Sequence, residues 1–228
     1  MFCDRCGTSV NANATECPRC QAPLAAPGLV PVAVPRGAGA WIADGWNAVT
    51  SNFWTFALLG LILVAAGSTV PILIQAPVTM GLQWAALRQV TTRRAEVNDI
   101  TFGFNLFPQA VMIGLVTTIL ITAGFILLIL PGIAACVLLQ FPYLLAIDRK
   151  LDFWAAIKES FNVSQRHFGS LLGLWCLQIA LIVGGVLLCG VGVLVALPMT
   201  YAATASAYID LFGLQNDTRV RLAGASAP

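Results

Sequence analysis

Charge along this chain is confined to short polar segments that separate long apolar runs. Between Asp44 and Arg88 lie 43 residues without a formal charge, between Asp99 and Asp148 another 48, and between His167 and Asp210 another 42. A helix rises about 1.5 Å per residue and a bilayer core is roughly 30 Å thick, so one crossing takes about 20 residues and each run supplies two. The first run is interrupted by Gly67, Pro71 and Pro77, and predicts spans at 53–70 and 72–90. The second breaks near Pro131-Gly132, giving 107–128 and 132–148, and the third turns near Gly190-Val-Gly192. The pattern therefore predicts an all-α integral membrane protein with six transmembrane helices arranged as three hairpins.

Two hairpins are preceded by amphipathic stretches. Ile42, Trp46, Val49 and Phe53 follow Trp41 mostly at helical spacing, and Trp154, Ile157, Phe161 and Phe168 do the same. Each predicts an interfacial helix whose tryptophans sit between water and lipid. The outer units also align: Asp44-Gly-Trp-Asn…Ser51-Asn-Phe parallels Glu159-Ser-Phe-Asn…Arg166-His-Phe at an offset of 115, and Pro77-Val-Thr parallels Pro198-Met-Thr at 121. The middle unit, with Phe104-Asn105 and Pro131, fits this register only loosely.

Composition narrows the class further. The chain is 58% hydrophobic and 10% charged, too apolar for a soluble fold. Its 12 Lys+Arg and 10 Asp+Glu nearly cancel, which argues against nucleic acid as a partner. Six spans place every Lys and Arg on one side, so the expected location is the inner (cytoplasmic) membrane, multi-pass, with both termini cytoplasmic. No charged n-region with a short apolar h-region opens the chain, so the first apolar helix is expected to serve as the insertion signal. The domain limits that follow are 1–24, a Pro/Ala/Gly-rich linker at 25–40, the membrane domain at 41–213, and a polar tail at 214–228 expected to be disordered. Pro23, Pro27, Pro31 and Pro35 favour extended chain, which spans up to ~60 Å over residues 21–40.

The N-terminal segment carries the clearest chemistry. Cys3, Cys6, Cys17 and Cys20 form two Cys-x-x-Cys pairs separated by ten residues. Four thiolates on two tight turns suit one tetrahedral Zn²⁺ at about 2.3 Å per bond, and metal binding supplies the folding energy of so small a segment. A disulfide or redox pair is the alternative, disfavoured by the shared spacing and by a reducing cytoplasm. The phrase Met-Phe-Cys-Asp-Arg-Cys-Gly…Glu-Cys-Pro-Arg-Cys-Gln-Ala-Pro-Leu resembles the short bacterial four-cysteine zinc ribbon. Asp4, Arg5, Glu16 and Arg19 sum to zero, and a Zn²⁺ with four thiolates adds two negative charges, so phosphate is repelled. Contact with a protein is the expected role. Cys136, Cys176 and Cys189 lie inside apolar runs and are expected to pack.

Nothing in the membrane part announces catalysis. No ionisable residue falls well inside a predicted span; Asp148 and Asp210 sit at span ends, near Arg149 and Arg219 as expected interfacial partners. Gln75, Gln83, Thr117, Thr118, Thr122, Gln140, Gln178, Thr200 and Thr204 are expected to hydrogen-bond between helices. His167 has no nucleophile or acid beside it, and no hydrolase, zincin or phosphate-loop motif occurs, so no enzyme is expected. Leu130-Pro-Gly-Ile…Phe141-Pro-Tyr-Leu-Leu-Ala-Ile-Asp, Ala155-Ala-Ile-Lys-Glu-Ser-Phe and Pro198-Met-Thr-Tyr…Tyr208-Ile-Asp-Leu-Phe-Gly resemble a group of six-span bacterial membrane proteins. They are similar to the membrane domain fused to some glycerophosphodiester phosphodiesterases. That resemblance implies a fold; the phosphodiesterase's acid and metal-binding residues have no counterpart here. Two functions are compatible with the sequence: a scaffold or regulatory protein whose ribbon meets a cytoplasmic partner, or a transporter or lipid-handling protein. The metal expectation is direct to check: the purified protein should carry one zinc per chain by elemental analysis, and Cys6→Ser should remove it.

Overall fold

The computed structural model describes residues 36–69, 72–187 and 191–224. Chain contacts divide the protein into Met1–Val34 and Pro35–Pro228, and everything below belongs to the second unit. Cys3, Cys6, Cys17 and Cys20, most of the linker, and the turns at 70–71 and 188–190 lie outside the described residues.

All regular structure among the described residues is helical. The helices are α1 (Ala38–Ser51), α2 (Phe53–Thr69), α3 (Ile72–Thr92), α4 (Phe102–Asn105), α5 (Phe107–Leu127), α6 (Ile129–Leu138), α7 (Pro142–Arg149), α8 (Phe153–Arg166), α9 (Phe168–Leu187), α10 (Val191–Phe212) and α11 (Asn216–Gly224), with a 3-10 turn at Val97–Thr101 before α4. Four helical segments are long and apolar enough to cross a membrane: Phe107–Leu127, Ile129–Arg149, Phe168–Leu187 and Gly192–Phe212. A fifth arises if α1 and the first part of α2, bent by 104°, are taken as one span. The protein is thus a multi-pass membrane protein whose apolar helices meet lipid. α2 is only 17 residues long. α3 carries Gln83, Arg88 and Gln89, all buried by neighbouring helices, so its surroundings relieve it of the need to be uniformly apolar.

Three units emerge from the backbone. Each has a short helix, a sharp break at one residue, and a long helix that starts with phenylalanine. The break residues are Asn52 (φ −143°, ψ 52°), Leu106 (φ −113°, ψ 31°) and His167 (φ −117°, ψ 25°). Their carbonyls accept from Phe56 N (3.2 Å), Ala110 N (2.8 Å) and Leu171 N (3.1 Å), so the next helix begins with its backbone already bonded. Phe56, Ala110 and Leu171 are all fully buried. The returning helix of each unit ends in a left-handed residue: Arg93 (φ 56°), Lys150 (φ 52°) and Gly213 (φ 68°). The middle unit, loosely aligned in sequence, carries both markers.

The units pack in a ring. α4 lies on α3, where Gly103 meets the Pro77 carbonyl, and α8 lies on α6, where the Ser160 hydroxyl donates to Leu138 O at 2.8 Å. α1 lies on α10, where Gly45 faces Met199 O. The short helix of each unit therefore covers the returning helix of the unit before it, and α1 on α10 closes the cycle. Burial follows: 61% of the α10 window is inside the bundle, against 17% for α5 and α9, which face outward.

Several expectations need correction. Trp41, assigned to the lipid–water boundary, is fully buried against α10, whereas Trp46 and Trp54 are 53% and 78% exposed. α1 starts at Ala38, inside the expected linker. The expected break at Pro131-Gly132 falls at Leu128 instead, because proline in the first turn of α6 loses no helical hydrogen bond. Leu128 N donates to Gly124 O at 3.1 Å and Gly132 N to Leu128 O at 3.3 Å, so the tip is closed by its own backbone. Residues 216–224 of the tail expected to be disordered form α11, because Leu222 and Thr218 are fully buried. Lys150 Nζ also donates to Asp217 (2.7 Å) and holds that carboxyl below its usual range.

A side chain at Gly45 would place its Cβ 2.7 Å from Met199 O, a backbone atom. Gly45→Val should therefore cost about 1–3 kcal/mol through forced separation of α1 and α10. Gly184→Ala, where a Cβ meets nothing within 4 Å, should not destabilise the fold. Thermal midpoints in detergent distinguish the two.

Candidate functional site

The charged end of the bundle, where α1, α3, α7, α10 and α11 meet, concentrates the polar chemistry. Its main junction lies at the start of the described chain. Arg36 Nε donates to Asp210 Oδ2 at 2.8 Å and Nη2 donates to Asp210 Oδ1 at 3.1 Å, a bidentate pair. Arg36 also lies 2.9 Å from Asp44 Oδ2. The Trp41 indole N–H donates to Asp210 at 2.7 Å, and Ser206 Oγ donates to Asp44 at 2.6 Å. Helical geometry makes this possible: Ser206 and Asp210 are one turn apart on α10, and Trp41 and Asp44 are three residues apart on α1. The two carboxylates raise the Arg36 pKa above its ordinary value, chiefly through its hydrogen bond to Asp210. The expected partner of Asp210 was Arg219; its actual partners come from α1 and the residue that precedes it.

Two further junctions brace the same end. Gln89 Nε2 donates to Ala48 O (3.1 Å) and Ser51 Oγ (3.0 Å), while its Oε1 accepts from Ala95 N (2.8 Å). Arg88, 5% exposed, pairs with Asp99 at 2.6 Å and Glu96 at 3.3 Å. Asp148, buried, accepts from Tyr208 Oη (2.7 Å) and Gln215 N (3.2 Å) rather than pairing with Arg149. Arg149 turns instead to Phe212 O (3.0 Å) and Glu159 (3.5 Å).

Between these junctions lie two recesses, the smaller one polar and the larger one walled mainly by apolar side chains. One, of about 250 Å³, is lined by Arg36, Asp44, Asn47, Gln89 and Arg93. The other, of about 520 Å³, is bordered by Arg36, Thr91, Thr92, Ser206 and Arg219. Arg36 belongs to both, and in each it is already engaged by carboxylates.

Deeper in the bundle the expected interhelical polar contacts divide. Gln178 Nε2 donates to Thr204 Oγ1 at 2.9 Å and to Thr200 O at 3.2 Å, joining α9 to α10. Gln75, Thr118 and Thr122 are exposed instead. Gln83 Oε1, Thr117 Oγ1 and both amide atoms of Gln140 are buried without a hydrogen-bond partner among the described residues. His167 is the break residue between α8 and α9, where its backbone does the work. Cys176, expected to pack, is exposed, and Cys136 is half-buried. Among the described residues no group of three His, Cys, Asp or Glu is placed to hold a metal. The proposed zinc ligands Cys3, Cys6, Cys17 and Cys20 fall outside them.

Comparison with known proteins gives sequence similarity alone. Uncharacterized proteins of Mycobacterium bovis and Mycobacterium tuberculosis are each 29% identical to this chain over 131 residues, 56% of the chain. The matched region is 40% of their own length. No family model matches, and no solved structure matches.

Sequence reasoning missed the Arg36 junction because Arg36 falls within the expected linker at 25–40. The usable signal was the spacing of Trp41 and Asp44 opposite Ser206 and Asp210, which becomes visible only once α1 is paired with α10. Asp210→Ala would leave the buried Trp41 N–H without its acceptor and Arg36 with Asp44 alone, and should cost about 2 kcal/mol or more. Asp217→Asn, at a fully exposed pair, should change stability far less. Thermal unfolding of both variants in the same detergent checks the contrast.

Proposed function

We propose that the protein is a scaffold or regulatory protein of the inner membrane that holds a cytoplasmic zinc ribbon against a protein partner. In this reading Cys3, Cys6, Cys17 and Cys20 bind Zn²⁺, α2 and α3 form the first of three hairpins, and both termini are cytoplasmic. The protein has no catalytic role and does not bind nucleic acid.

The observation that carries the reading is the Arg36 junction. The residue that ends the proline-rich segment is fastened to α1 and α10 by two carboxylates, so the tether leaves the bundle from a fixed point. A tether that served only to space two independent parts would need no such fastening. The packing agrees: α3 and α10 are enclosed by their neighbours, and Met80, Leu82, Leu87 and Tyr208 are fully buried between them. The basic residues near the helix ends favour the cytoplasmic side for the charged end. Likeness of residues 1–24 to bacterial zinc ribbons supports the metal.

Crosslinking in native membranes followed by purification tests the proposal, comparing the intact protein with a variant carrying serine at Cys3, Cys6, Cys17 and Cys20. Loss of zinc together with loss of a specific crosslinked cytoplasmic protein is the expected result. An unchanged set of crosslinked proteins in the zinc-free variant overturns it.

A further inference from the structure

Helix α8 carries two adjacent rows of side chains at four-residue spacing. One row, Ile157 and Phe161, forms a wall of a cleft of about 310 Å³ whose other walls are Leu120 and Gly124 of α5 and Ala135 and Leu138 of α6. Gly124 lets α5 and α6 meet at one edge of the cleft, where an added Cβ would lie 3.0 Å from Gly132 Cα, and Ala135 is a small side chain on the α6 wall. The next row is polar. Lys158 and Asn162 border the cleft, and Arg166 continues their line one turn further along α8.

The charge at this border is uncompensated. Among the described residues neither Lys158 nor Arg166 forms an ion pair, although Glu159 on the same helix is engaged by Arg149. Lys158 Nζ instead lies 5.4 Å from the centroid of the Trp154 ring. Trp154 is half-exposed, and an indole in that position suits the headgroup level of a bilayer. The cleft thus has the form of an amphiphile: an apolar trough between helices, bordered by the Asn162 amide and the Lys158 ammonium, with Arg166 one turn beyond Asn162 on α8.

We propose that this cleft binds one acyl chain of an anionic phospholipid, with the phosphate held by Lys158 and Asn162. Charge complementarity selects this occupant over a zwitterionic lipid, because Lys158, without an ion pair among the described residues, favours a net negative headgroup. The apolar walls select a lipid chain over a soluble phosphate, which would leave Leu120, Leu138 and Phe161 uncovered. The cleft lies on the α5–α6–α8 side of the ring, away from Arg36, so the proposal is independent of what the N-terminal segment contacts.

Native mass spectrometry of the delipidated full-length protein, offered dioleoyl phosphatidylglycerol or dioleoyl phosphatidylcholine in the same detergent, tests it. The unaltered protein should retain one phosphatidylglycerol about fivefold more strongly than phosphatidylcholine, the effect of roughly one basic residue at an anionic surface. Lys158→Gln should abolish the preference while leaving retention of a chain. Ala135→Phe, which fills the cleft, should lower retention of both lipids. Equal retention of the two lipids by the unaltered protein overturns the proposal, as does a preference that survives Lys158→Gln. Lys158 is exposed on its helix, so that variant carries the test even if Ala135→Phe fails to fold.

Discussion

The contact of α1 with α10 is the constraint on which the remaining arrangement depends. Three similar units could lie in an open row, each short helix covering the unit before it and the first left with nothing to cover. Closure of the row into a ring gives α1 the last returning helix as its partner, and the chemistry there is correspondingly dense. Gly45 allows the backbones to meet, Trp41 fills the space beside them, and Asp210 binds both the indole and Arg36. The other two joints are simpler. α4 rests on α3 through Gly103, and α8 on α6 through one serine hydroxyl. At the α1–α10 joint polar chemistry joins segments distant in the chain, while ion pairs between sequence neighbours, such as Arg88 with Asp99, brace the bundle beside the other joints.

A second constraint acts at each bend. In hydrocarbon an unpaired N–H or C=O costs several kcal/mol, so a chain that turns sharply must keep its backbone bonded through the turn. The breaks at Asn52, Leu106 and His167 do this with one residue each, whose carbonyl begins the following helix. The side chains at those positions share no chemistry. That explains how an amide, an aliphatic chain and an imidazole serve the same purpose.

The long helices were legible because apolar length is written directly into composition. The starts of α2, α5 and α9 fell at Phe53, Phe107 and Phe168, where the expected boundaries lay. Two of the short helices, α1 and α8, were legible from their spacing but their orientation was not, and α4 carried no such spacing. Trp41 and Trp46 look alike in sequence, and only the position of α10 decides that one is buried and the other wet. Asp148 and Asp210 were recognised as span-end carboxylates, yet both partners were misassigned because adjacency in sequence is a poor guide when a residue across the ring is closer. The tail was misread for a related reason: a polar segment with few apolar residues looks unstructured until the burial of Leu222 is seen. Cys3, Cys6, Cys17 and Cys20 illustrate the opposite case, in which a motif is sharp in sequence and lies outside the described structure.

Ring closure also bears on how the protein is made. α1 leaves the ribosome first and α10 among the last, and 169 residues separate Trp41 from the carboxylate that receives its indole. Until α10 arrives, the face of α1 that carries Trp41 and Gly45 has no cover within its own chain. During that interval an α10 from a neighbouring copy presents the same Ser206 and Asp210 and competes on equal chemical terms. A pair of chains that exchange their last hairpins would satisfy every contact of the closed ring.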